Sequence, residues 1–130
     1  MKVPSELTEM CRDPFTLWTL CMLRRDEKFP TLVRDPEALK AYIVSEEERI
    51  QEQKEMSNKF DPQLVVLSRL CSKSWRSEHT LKGKTLPELV EALAAVLAKD
   101  NIIWPTLHNT NTAAQDVRIT LTRCYFTFSK

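Results

Sequence analysis

DPFTLWTLCMLRRDE, residues 13–27, opens with an aspartate and a proline and continues with apolar side chains on almost every face of the helix it encodes. Asp13 offers a capping acceptor, and a proline in the first helical turn loses no hydrogen bond and already holds a helical φ. Phe15, Leu17, Trp18, Leu20, Cys21, Met22 and Leu23 then surround the axis. A helix that is apolar all round is stable in water only when other elements cover every side of it. The stretch therefore predicts a central helix from residue 14 to about 27, ended by Phe29-Pro30, with the rest of the chain arranged around it.

The same punctuation recurs. Asp35-Pro36 and Asp61-Pro62 repeat the aspartate–proline start, and Thr85-Leu86-Pro87-Glu88 and Ser45-Glu46-Glu47-Glu48 read as capping boxes. These starts predict helices over 5–11, 14–27, 36–44, 45–59, 62–76 and 87–99. Leu39, Tyr42 and Ile43 supply the inner face of the third. Leu86, Leu89, Val90, Leu93, Val96 and Leu97 supply that of the last. Beyond residue 100 the period changes. NIIWPTLH is extended in character, and VRITLTRCYFTF alternates through Val117, Ile119 and Leu121 before its phase shifts at Cys124. The expected fold is a single domain, residues 1–130. Its class is α+β, predominantly α-helical, with five or six helices over 1–100 and a C-terminal β-hairpin over 101–130.

Composition narrows the function. The chain has 130 residues, 42% hydrophobic and 28% charged, with a formal net charge of +1. That balance suits a folded domain, gives no acidic excess for nucleic-acid mimicry, and leaves only local charge to attract a partner. Gly83 is the one glycine. Phosphate-binding loops, dinucleotide fingerprints and the nucleophile elbow each need several, so none is present. His79 and His108 form no ligand pair and no C-x-x-C occurs, so no metal and no cofactor are expected. Cys71 and Cys124 sit among apolar neighbours, where a thiol is a poor nucleophile, and the acids of 46–55 have no apolar surroundings to separate an acid from a base. The chain is not expected to be an enzyme. No apolar run is long enough to span a membrane, and the first ten residues lack the apolar core of a signal peptide. The expected location is cytoplasmic or nuclear, with the four cysteines reduced.

Two surfaces remain as candidates. RLCSKSWRSEHTLKGK, residues 69–84, holds Arg69, Lys73, Arg76, Lys82 and Lys84 against the single acid Glu78. On one continuous helix Arg69, Lys73 and Arg76 fall within about 60° of each other, a stripe suited to backbone phosphates without sequence reading. Trp75 lies at the edge of the apolar arc of that helix and is expected to pack, while Val65 falls outside the arc. The second candidate is protein-binding: Ile50 and Met56 on the polar helix, with Tyr125, Phe126 and Phe128 of the C-terminal strand. The leading expectation is a small non-catalytic protein-binding module, meaning a regulator, an inhibitor or a small subunit of a larger assembly. The alternative is a nucleoprotein subunit that contacts phosphates through the basic stripe.

Overall fold

Four of the five caps read from the sequence form, at Asp13, Asp35, Asp61 and Thr85. In the computed structural model, which describes residues 5–23 and 27–100, Asp13 accepts hydrogen bonds from the Phe15 amide at 3.4 Å and the Thr16 hydroxyl at 2.8 Å. Asp35 accepts from the Glu37 and Ala38 amides at 3.1 and 3.2 Å, and Asp61 from the Leu64 amide at 3.4 Å. The Thr85 hydroxyl accepts from the Glu88 amide at 3.4 Å, and the Glu88 carboxylate reaches back to the Lys84 amide at 3.2 Å. The described residues form seven helices: α1 Ser5–Met10, α2 Pro14–Met22, α3 Phe29–Arg34, α4 Pro36–Met56, α5 Pro62–Cys71, α6 Lys73–Glu78 and α7 Leu86–Lys99.

The middle of the fold is α2, in which every residue from Pro14 to Cys21 is buried. Its neighbours supply Leu7 and Cys11 from the α1 end, Leu39 and Ile43 from α4, Leu70 from α5, and Leu89, Leu93 and Leu97 from α7. Removing this much apolar area from water, at about 25 cal/mol per Å², is the main force that holds the helices together. Leu81, also buried, follows α6 and donates its amide to the Arg12 carbonyl at 2.7 Å, which fastens that loop to the corner between α1 and α2. Gly83 lets the chain then turn close over α7. A Cβ there would stand 2.8 Å from the Glu88 Cβ, inside van der Waals contact.

Several sequence expectations are corrected. No strand occurs among the described residues, which are all-α rather than α+β. The hairpin assigned to 101–130 lies outside the described residues and gains no support from them. It rested on short apolar runs, whose periodicity alone does not separate a strand from a buried helix. Pro30 does not only end a helix but sits in the first turn of α3, a helix the sequence reading missed. The expected helices over 36–44 and 45–59 are one, the 21-residue α4. Ser45 is no cap there: its hydroxyl donates back to the Tyr42 carbonyl at 2.7 Å, which leaves the helix free to continue. Conversely, the expected helix 62–76 breaks at Ser72, whose backbone is extended and whose hydroxyl accepts from the Trp75 amide at 3.5 Å to start α6.

Candidate functional site

The break at Ser72 dismantles the stripe as a single helical surface. Arg69 ends up on α5, Lys73 and Arg76 on α6, and Lys82 and Lys84 in the loop before α7. Arg76 is turned inward. Its guanidinium donates to both carboxylate oxygens of Asp13, to Glu47 and to the Cys71 carbonyl, and it lies 5.0 Å from the centre of the Phe15 ring. Burial opposes its charge, but the hydrogen bonds from Asp13 and Glu47 outweigh that and raise its pKa above the ordinary arginine value. This side chain joins α2, α4 and α6.

Arg69, Lys73, Lys82 and Lys84 are exposed. Lys73 borders a groove of about 500 Å³ whose α4 wall is acidic, carrying Glu47, Glu48, Glu52 and Glu55. A phosphate entering there would meet those carboxylates as well as the ammonium. Cys71, the last residue of α5, lines the same groove. Burial first, and then the Glu47 charge, push its thiol pKa up, so it is protonated at neutral pH. Trp75 is buried, as packing required. Its indole N–H donates to Asp100 at 2.8 Å, and its ring stacks on His79 at 4.6 Å between centroids. His79 Nδ1 in turn faces the Trp75 carbonyl at 2.8 Å. The indole is therefore unavailable for stacking on bases.

Of the expected protein-binding residues, Ile50 is 3% exposed and belongs to the core, whereas Met56 is 73% exposed. Tyr125, Phe126 and Phe128 lie outside the described residues. Beside Met56 the structure shows two residues that the sequence reading did not select: Phe60 at 82% and Val65 at 51% exposure. All three stand at the corner where α4 gives way to α5. Phe60 and Val65 share with Leu64 a groove of about 360 Å³, rimmed by Lys54 and Lys59. Val65 carried a signal in the sequence as the residue off the apolar arc of its helix, whereas the exposure of Phe60, just before the Asp61 cap, is set by the turn between α4 and α5.

Among the described residues no group of three or more His, Cys, Asp or Glu side chains is placed to hold a metal ion. No helix among them is long and apolar enough to cross a membrane. Searches of family models, of curated proteins and of solved structures found no match to this chain.

Proposed function

We propose that the chain is a small non-catalytic protein-binding module, acting as a regulator, an inhibitor or a small subunit of a larger assembly. It engages its partner through the corner between α4 and α5. The observation that carries this reading is Phe60, a phenyl ring left 82% exposed next to Met56 and Val65. Aromatic side chains and methionine are the residues that protein interfaces favour at their centres. The two lysines at the rim leave a partner with acidic groups around an apolar anchor as the best complement.

The test is a photo-crosslinking amino acid placed at position 60 and, as a control, at the exposed Ala95 on α7. A discrete adduct from position 60, absent from position 95 and lost on Val65→Asp, supports the reading. No adduct at position 60 in the cells that make the protein removes it.

A second reading has its own observation. Arg69, Lys73, Lys82 and Lys84 are exposed, and no salt bridge engages them among the described residues. They would contact a nucleic-acid backbone as point charges, without reading sequence. Fluorescence anisotropy of labelled DNA and RNA at two salt concentrations tests this, with all four residues changed to serine as the control. Binding that weakens steeply with salt and disappears in the control favours it; salt-independent or absent binding sinks it. Arg76 stays unchanged in that control because its loss would damage the fold.

A further inference from the structure

The partner that best complements the corner between α4 and α5 carries acidic groups around an apolar anchor, and this chain carries that arrangement itself. Met56, the last residue of α4, is 73% exposed. Glu52, about one helical turn earlier, shares its face, and Glu55 flanks it; both are exposed. Beside them lies a matching recess, the groove of about 360 Å³ with Leu64 in its wall and Lys54 and Lys59 at its rim. Its lining is open to an incoming side chain, since Phe60 is 82% and Val65 51% exposed there. Among the described residues Met56 does not line its own chain's groove, and neither lysine forms an ion pair. Asp61, the acid in the lining, caps α5 by accepting from the Leu64 amide.

We infer that this corner pairs with the same corner of a second copy of the chain. The inference rests on the corner being the binding surface proposed above, and it names the partner. Met56 of one copy enters the groove of the other, against Phe60, Leu64 and Val65, which sets Glu52 and Glu55 opposite Lys54 and Lys59. Because anchor and groove occupy one corner, a single two-fold axis makes the exchange reciprocal and closes the assembly at two copies. Charge favours a copy over a foreign partner of one sign. Lys54 and Lys59 repel a basic partner, Glu52 and Glu55 repel an acidic one, and a second mixed corner satisfies both. Area sets the strength. A few side chains at one corner fall short of the roughly 800 Å² that each partner buries in a standard interface, so the dissociation constant is on the order of 10–100 μM.

The test is sedimentation equilibrium of the full chain from about 5 to about 500 μM. A monomer–dimer equilibrium is expected, and Met56→Ala weakens it about tenfold. Two double variants probe the charge pairing: Lys54→Glu with Lys59→Glu, and Glu52→Lys with Glu55→Lys. All four residues are exposed, so both variants keep the fold, which circular dichroism checks. Each variant alone sets like charges together and dimerises about tenfold more weakly, whereas an equal mixture of the two restores wild-type affinity. A wild-type chain that stays monomeric over the whole range overturns the inference. So does a dimer that Met56→Ala leaves intact, or a pair of charge variants that mixing does not rescue. The crosslinker at position 60 separates this failure from that of the binding surface. An adduct with a different protein, from a chain that is monomeric, overturns self-pairing and keeps the corner as an interface. An adduct confined to one chain overturns self-pairing as well, and no adduct of any kind removes both readings.

Discussion

The two ends of α4 are built from the same backbone and have opposite fates. From Pro36 to Ile50 the helix presents Leu39, Ile43 and Ile50 to the core, and Glu47 reaches Arg76. Residues 51–56 are exposed on every face, and the chain that follows leaves Phe60 in solvent. Twenty-one residues extend for about 31 Å, longer than the neighbouring helices can cover. The difference teaches that burial here is set by which helices lie alongside. At the covered end Leu39, Ile43 and Ile50 face the core while Val44 points outward at 49% exposure, and at the uncovered end Met56 has no face to turn inward.

The comparison breaks first, if it breaks at all, at the buried ion cluster. Arg76→Met strips Asp13 and Glu47 of their counter-charge where both are three-quarters covered, and should cost about 3 kcal/mol in urea denaturation. A loss under about 1 kcal/mol would mean that the cluster is solvated and ties nothing together. Next in size is the contrast along α4 itself. Ile50→Ala should cost about 2–3 kcal/mol, whereas Met56→Ala should stay within about 0.5 kcal/mol. Equal losses at the two positions would erase the distinction between the ends. Asp35→Ala, which deletes the acceptor for two amides at the start of α4, should cost about 1 kcal/mol.

The smallest effect concerns Cys71. Burial first raises its thiol pKa in the folded chain, so stability from keeping it protonated is fully present below the ordinary thiol pKa and is lost as pH rises through the higher folded value. Alkylation by iodoacetamide at pH 8 should be slower than that of an unfolded cysteine and should accelerate only at more alkaline pH. Rapid labelling at pH 8 in the folded chain would contradict the burial around Glu47 and Cys71.

The sequence made the helix starts legible because their chemistry is local. Asp13, Asp35, Asp61 and Thr85 each satisfy amides two or three residues away, so the pattern is complete within four letters. Continuations and breaks were not legible to the same degree. Ser45 and Ser72 are the same residue type, yet one continues a helix and the other ends one: Ser45 donates back to the Tyr42 carbonyl, whereas Ser72 accepts from the Trp75 amide ahead of it, and the four-letter pattern does not distinguish the two. The fate of Arg76 was out of reach for a similar reason. Its partners lie 63 and 29 residues away, and no local rule connects them. Reading Arg69, Lys73 and Arg76 as one stripe assumed an unbroken helix, and that assumption failed at Ser72. The corner was half visible: Met56 stood out as an apolar residue on a polar helix, but Phe60 needed the geometry of the turn.

The bond from the Leu81 amide to the Arg12 carbonyl has a consequence for how the chain is made. During synthesis from the amino terminus, α2 emerges ahead of the helices that cover its apolar circumference. The groups that fasten it, Arg76 and Leu81, follow only after α3, α4 and α5 have been delivered. At about 5–20 residues per second that interval lasts several seconds. For that time α2, buried along its whole length in the finished fold, depends on transient shelter, so chaperone demand should fall on nascent chains that end between α2 and α6.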